Sequence, residues 1–493
     1  MNAASRDVRE PGAGRGFGGR IANDAFVYGL GGIANQAVAI LLVPIYARVL
    51  GAPGVGVTGV LNSIISLSLM LVGLALPQAF FRWYLREAAD RDGRAHVLRT
   101  TLAIRIAASL AGFALVLLAA VPLTALFYGG ENLLVFALAA PIVLFDTFNT
   151  IPLSFLRAER RPRDYIVITM TRAVIGTVLI LTLVVALKFG VVGVALGAAI
   201  AAALSAAIGA WVLWRSGMWR PVVDADLSRA MLTFALPLVP AAVAGWMLNL
   251  ADRPLLQVFT GDQDLVGVYT LGYTAGLVIN ALVIQPFTLT WSATFWDISN
   301  SDDAPRTFAR TLTWFLALAS AVALLLSAIG TDVIRLLFES EFEDARYIVP
   351  FSAFAFVLYG AYTIVATGLS VVGRSGIVAT TMLVAAGVAL GLNLVLIPLL
   401  GMYGAAITTV VGYALLAILA GWRSQRHYPV PWQLLRAVVI LGLAAALSAL
   451  ALLGPDNPLW RIGAILLYPP ILIGTGIVRP TQARQLLRVL RRR

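Results

Sequence analysis

Long apolar runs, separated by short loops rich in arginine, occupy nearly all of this 493-residue chain. A helix needs roughly 20 apolar residues to cross the hydrocarbon core of a bilayer. About 14 stretches reach that length, near 25–49, 56–81, 98–121, 133–156, 166–187, 191–214, 232–259, 265–290, 308–329, 347–371, 376–399, 401–421, 433–453 and 459–478, numbered here as segments 1 to 14. Membrane-spanning strands would alternate lipid-facing and lumen-facing residues at every second position, which these runs of Leu, Ala, Val and Ile do not do. The pattern therefore predicts an all-α integral membrane protein. Segment 1 is too long for a signal-peptide core and lacks a small-residue cleavage site behind it, so it is expected to be retained.

Composition agrees: 60% of residues are hydrophobic and 12% charged, against about half and about a quarter in soluble globular chains. Of the 36 Lys and Arg, 28 fall in the two tails and the even-numbered loops. Counting a charge in the first turn of a segment (Arg99, Arg310, Arg436, Arg461) with the loop before it, four (Lys188, Arg335, Arg346, Arg461) fall in odd-numbered loops, and four (Arg48, Arg105, Arg172, Arg253) inside segments. This asymmetry predicts that both ends are cytoplasmic. The net charge of +12 then reports topology and contact with anionic membrane lipids, with no nucleic-acid partner needed. The absence of cysteine excludes disulfides, thiolate metal sites and a cysteine nucleophile. His96 and His427 lie in arginine-rich loops and suggest no ligand set, so no metal and no cofactor is expected. A phosphate-binding Walker loop needs Lys followed by Ser or Thr; the single lysine, Lys188, precedes Phe189. ATP hydrolysis is not expected.

The chain also repeats itself. Shifted by 211 residues, Arg163 through Trp211 lies on Arg374 through Trp422 without a gap, with 16 of 49 positions identical, among them Thr169 on Thr380, Gly176 on Gly387, Gly190 and Gly193 on Gly401 and Gly404, and Trp211 on Trp422. A shift one residue shorter lays Pro44 and Gly51 on Pro254 and Gly261, and the 211-residue shift lays Gly56 on Gly267. A repeat this long marks a duplicated half. It spans six segments, an even number, so the halves should keep the same orientation in the bilayer, a scheme by which transporters build a central alternating site. The expected organisation is a cytoplasmic tail 1–20, a first six-helix lobe 21–214, an inter-lobe loop 215–228, a second lobe 229–421, an added pair of helices 433–478 and a basic cytoplasmic tail 479–493, with a central cavity between the lobes.

Charges inside hydrocarbon each call for a reason. Arg82 ends segment 2, while Arg105 and Arg172 lie roughly 10 Å by helical rise inside the cytoplasmic ends of segments 3 and 5. Each alone could snorkel to the interface. Together they point to a cationic inward-facing cavity, because guanidinium forks suit phosphate oxygens. Asp146 lies about 16 Å from its cytoplasmic end, near the midplane. It needs either a proton, as a coupling residue, or an ion pair with Arg105 or Arg172. Asp252 and Arg253 read as a local charge pair deep in segment 7. Asn35, Gln36, Asn249, Asn280 and Gln285 line a polar path or bond helix to helix. Pro237, Pro240 and Pro286 permit bending in segments 7 and 8. Trp291 and Trp296 read as interface anchors. Asp224-Ala225-Asp226 has the spacing of a metal-binding DxD, but ahead of a helix it reads as a cap. Glu339, Glu341, Glu343 and Asp344 read as a solvated acidic face.

Ala47-Arg48-Val49-Leu50-Gly51, Leu76-Pro77-Gln78-Ala79-Phe80-Phe81-Arg82, and Asp252-Arg253 followed by Val266-Gly267-Val268-Tyr269 give the chain a resemblance. From 21 to about 421 it resembles the polysaccharide-transporter branch, the Wzx-type oligosaccharide flippases, of the multidrug/oligosaccharidyl-lipid/polysaccharide exporter superfamily. The resemblance implies a flippase and not an enzyme. Its substrate would be an undecaprenyl-diphosphate-linked oligosaccharide, carried across the bacterial cytoplasmic (inner) membrane by alternating access for O-antigen, capsule or exopolysaccharide synthesis, with a glycan polymerase complex as a further partner. The resemblance implies a cationic central cavity between the lobes that binds the substrate, with Arg48 and Arg82 carried over from the family-like stretches; Arg105, Arg172 and Asp146 rest on depth alone, and Asn35 and Gln36 are expected to line the same cavity. MurJ-like lipid II flippases carry arginine near the middle of segment 1, where this chain has Asn35 and Gln36, a departure that weighs against peptidoglycan export. Two alternatives stay open: a drug or cation exporter of the same superfamily, and a membrane O-antigen polymerase or ligase.

Overall fold

A computed structural model describes the backbone of residues 13–88 and 90–476 and the side chains of residues 43–476 other than 87, 89, 293 and 375. Residues 1–12, the basic tail 479–493 and the side chains of Asn35 and Gln36 lie outside this description. All regular structure among the described residues is helical. Twelve helices are long and apolar enough to cross a membrane, and Pro458–Gly474 is a shorter apolar one. The first of the twelve, Val43–Arg86, joins the end of segment 1 to segment 2. Helix already runs from Ala13, inside the stretch expected to be a tail.

The interruptions of helix follow local chemistry. Segments 1 and 2 form one run, Ala13–Gly73, broken at Gly51, where φ is 66° and ψ is 179°. Glycine takes that left-handed φ without a steric penalty, and Pro53 follows. Segment 2 breaks again at Leu74 and Ala75, with φ 52° and 47°, just ahead of Pro77, which has no N–H for the Gly73 carbonyl four residues before it and whose ring clashes with that carbonyl in a continuous helix. Segment 7 tightens to a 3-10 turn at Leu236–Leu238 around Pro237. Segment 8 widens to a π turn at Asn280–Ile284 before Pro286.

Packing repeats between the halves. Segment 3 (Arg91–Tyr128) packs on segment 4 (Leu133–Ala158), segment 4 on segment 6 (Gly190–Arg215), and segment 5 (Pro162–Ala186) on segment 6. The same pairings join segments 9 (Ala304–Leu337) and 10 (Ala345–Val371), 10 and 12 (Met402–Gln425), and 11 (Gly376–Leu400) and 12. Trp211 and Trp422, equivalent at the 211-residue shift, each carry the guanidinium four residues on: Arg215 lies 4.5 Å from the first ring and Arg426 3.9 Å from the second. Segments 13 and 14 pack on segment 9, where Tyr468 donates to the Ala317 carbonyl at 3.1 Å.

The halves meet through segments 2 and 8 (Gln263–Ser292). A Cβ on Gly56 would lie 2.2 Å from the Gln263 carbonyl oxygen, one on Gly267 1.9 Å from that of Ala52, and one on Gly59 2.5 Å from Thr270 Oγ1. The same shift carries Ala52 onto Gln263, Gly56 onto Gly267 and Gly59 onto Thr270. Ala52 thus meets the counterpart of Gly56 while Gly56 meets the counterpart of Ala52, the signature of a two-fold contact. Equivalent residues stay in register as both chains advance, so segments 2 and 8 run in the same sense and the axis lies along them. The repeat is parallel.

A second exchange holds the end that carries the odd-numbered loops. Arg48 donates to the Leu336 and Leu337 carbonyls at 3.2 and 2.9 Å, closing the last turn of segment 9 from the first half. Gln257 of the second half donates to the Phe127 carbonyl of segment 3 at 3.1 Å. Glu341 accepts the Ala52 amide, freed by the Gly51 break, at 2.9 Å.

Candidate functional site

The end that carries the even-numbered loops contains a cavity of about 730 Å³ lined by Phe81, Arg82, Leu85, Arg86 and Phe234. The Leu74–Ala75 break re-aims the rest of segment 2, Leu76–Arg82, and a π turn over Trp83–Glu87 continues it. Four residues apart, Arg82 and Arg86 share the helix face that lines the cavity. The Arg82 guanidinium lies 4.9 Å from the Trp83 ring and 4.8 Å from the Phe234 ring, so aromatic faces help to position the charge. Two guanidiniums beside half-buried aromatic rings suit a ligand that combines phosphate oxygens with sugar faces.

The other arginines are placed differently. Arg105 is fully buried, and its Nη2 donates to the Gly73 carbonyl at 3.0 Å. That carbonyl ends the upper part of segment 2, and a cation there also complements the negative end of the helix dipole. Arg172 sits in a π turn, Thr171–Ile175, and grips Asp146 with both ends of its fork, Nε to Oδ1 at 3.0 Å and Nη2 to Oδ2 at 2.9 Å. The pair, which joins segments 4 and 5, is 29% and 22% exposed. Arg105 and Arg172 are held by different partners, and Arg48 lies at the opposite end of the bundle.

Asp252 and Arg253 form a pair with Nη1 to Oδ1 at 3.1 Å, both nearly fully buried. Tyr269 donates to Asp252, Tyr273 donates to Asn249 Oδ1 at 2.8 Å, and the Arg253 guanidinium lies 4.3 Å from the Tyr273 ring. The charges are satisfied inside the second half.

Sequence reasoning passed over Arg86, Phe81 and Phe234. The four-residue spacing of Arg82 and Arg86 was the available signal, whereas Phe234 comes from a different segment. Trp291 differs from the anchor reading: it is buried, stacks on Phe287 at 5.9 Å and donates to Thr367 Oγ1 at 2.9 Å. Trp296 is half exposed. Asp224 caps its helix through the Leu227 amide at 2.9 Å and meets His96 Nε2 at 2.8 Å. The acidic loop is more than a solvated face, because Glu341 holds the Gly51 break and Glu343 bonds Arg335 and Arg346.

The profile of the family described as polysaccharide biosynthesis protein matches residues 21–295, more than half of the chain. The chain belongs to the polysaccharide biosynthesis protein family. No curated protein sequence matches this family member. Its fold is similar to that of the lipid II flippase MurJ in an inward closed conformation, with a TM-score of 0.69 at 14% identity over 92% of this chain and 100% of that one. It is also similar to a multidrug resistance MATE transporter of the MOP superfamily in an inward-facing conformation, with a TM-score of 0.62 at 16% identity over 82% and 95% of the two chains. The Vibrio cholerae MATE transporter VcmN, as its D35N mutant, gives 0.59 at 14% identity over 84% and 98%. This polysaccharide biosynthesis protein is thus a multi-pass membrane protein with the MurJ and MATE fold.

Proposed function

We propose that the protein flips an undecaprenyl-diphosphate-linked oligosaccharide across the bacterial inner membrane by alternating access of two lobes, 21–214 and 229–421, with both termini cytoplasmic. The observation that carries this reading is the cavity of Arg82 and Arg86 against Phe81 and Phe234 at the arginine-rich end. A diphosphate is drawn to the paired guanidiniums, and sugar rings lie well on aromatic faces. A cavity built for cationic drugs would instead need acidic groups, and this one is lined by two arginines. The lobes are joined by their reciprocal contacts at the odd-loop end, which suits loading from the even-loop end. In this reading Asp146 and Arg172 set the charge of the path, and Asn35 and Gln36 contribute polar groups from segment 1.

The experiment is export of lipid-linked glycan in cells lacking the native protein, together with flipping in reconstituted vesicles. R82A/R86A should abolish export at unchanged protein level, and R82K should restore it only in part because lysine cannot bind bidentately. Normal flipping by R82A/R86A would refute the proposal.

A further inference from the structure

A second cavity, of about 580 Å³, opens at the even-loop end of the first half, separate from the one beside Arg82. Loops far apart in sequence build it: Asp90, Arg91 and Arg94 follow segment 2, Glu159 and Arg161 follow segment 4, and Arg215 ends segment 6. Four arginines thus face two carboxylates. Both carboxylates are already engaged by neutral donors of the fold. Asp90 Oδ1 accepts the Gly93 amide at 2.8 Å as a helix cap, and Glu159 Oε1 accepts the Tyr84 hydroxyl at 2.7 Å.

The arginines have few anions of their own. Arg161 pairs with Asp164 at 2.6 Å. Arg94 lies over the Tyr84 ring at 5.8 Å and Arg215 over the Trp211 ring at 4.5 Å, contacts that position a guanidinium without neutralising it. Arg91 is exposed at the helix start. The four guanidiniums outnumber the two carboxylates of the cavity and the Asp164 beside Arg161, which leaves a surplus of positive charge, and tetrahedral phosphate oxygens fit their forks.

Topology alone does not account for this cluster. At the 211-residue shift Arg215 falls on Arg426, but Arg91, Arg94 and Arg161 fall on Asp302, Pro305 and Val372, so the second half lacks its counterpart. Trp211 and Trp214, 50% and 64% exposed, stand beside Arg215 and mark headgroup depth, where exposed tryptophans of membrane proteins concentrate. Anionic leaflets attract basic clusters at that level.

We infer that Arg91, Arg94, Arg161 and Arg215 form a site for a phosphate-bearing anion, filled by the headgroup of an anionic phospholipid of the adjoining leaflet. The site does not depend on which substrate is transported, and its test reads binding without transport.

The test is native mass spectrometry of the purified full chain titrated with phosphatidylglycerol, with phosphatidylcholine and with inorganic pyrophosphate. One phosphatidylglycerol should be retained about ten-fold more tightly than phosphatidylcholine, and R94Q/R215Q should remove that preference at an unchanged melting temperature. Pyrophosphate bound in place of lipid, and lost in the same variant, would support phosphate recognition and assign it to a soluble anion. Should R94Q/R215Q lose the fold, R91Q, whose side chain is exposed, is expected to weaken the preference a few-fold. Equal retention of both lipids and no pyrophosphate bound by the unaltered chain, or an undiminished preference in the variants, overturns the site.

Discussion

Gly56 and Gly267 occupy the same position in the two repeats, and each lies against the segment that carries the other. Backbone meets backbone there, so a side chain on either one has no soft neighbour to displace. G267A would place its methyl 1.9 Å from the Ala52 carbonyl and should cost about 1–3 kcal/mol through overpacking. G59A meets the Thr270 side chain, which can rotate, and should cost less. Thermal melting of the purified variants checks the order. Equal losses would mean that the seam is not the tight point.

The Asp146–Arg172 pair is bidentate but partly exposed, so its mutual stabilisation should be on the order of 1 kcal/mol in a double-mutant cycle of D146N and R172Q. A coupling role predicts more. D146N should then block flipping, or make it insensitive to a proton gradient, while the protein stays folded. Wild-type gradient dependence in vesicles containing D146N would leave the pair with a structural role only.

Removing Asp252 strands Arg253 in a nearly dry interior. D252N should destabilise the second half by about 3–5 kcal/mol, whereas Y269F, which removes only one donor to the carboxylate, should cost about 1–3 kcal/mol. Melting curves in detergent give both values. A D252N variant as stable as the parent would show that water reaches this network.

At the odd-loop end, Arg335 bonds Glu343 and Asp456, and Arg461 bonds Asp332 and Asp456, tying segment 14 and the loop before it to segment 9. Hydrogen bonds from Arg335 hold the Glu343 and Asp456 carboxyls below their usual range. A depressed carboxylate contributes stability that is fully present above its unfolded pKa and is lost as pH falls through the folded one. Docking of segments 13 and 14 should therefore be constant from about pH 5 to 8 and weaken below roughly pH 4. Hydrogen exchange of residues 434–474 as a function of pH measures it; loosening already at pH 6 would implicate other groups.

The helices could be read from the chain because each buries or exposes apolar surface as a unit, and lipid requires about 20 such residues whatever their neighbours. Parallel duplication was equally legible, since Gly56 and Gly267, and Trp211 and Trp422, keep their type at one shift. Chain depth brought Arg105, Arg172 and Asp146 to notice as costly charges. It could not say that Arg172 takes the carboxylate while Arg105 takes the Gly73 carbonyl. That choice follows from the break at Leu74 and Ala75, two residues with no turn preference of their own, held there by neighbouring segments and the proline that follows. The cavity of Arg91, Arg94, Arg161 and Arg215 was illegible for a related reason: its walls come from three loops about 60 residues apart, as the loop positions in the sequence show. Sequence determined which groups this protein would have to bury or solvate, because transfer between water and lipid is a property of each residue. Tertiary structure alone decided the partner of each charge, because hydrogen bonds and ion pairs act over a few ångströms between segments whose separation the chain does not record.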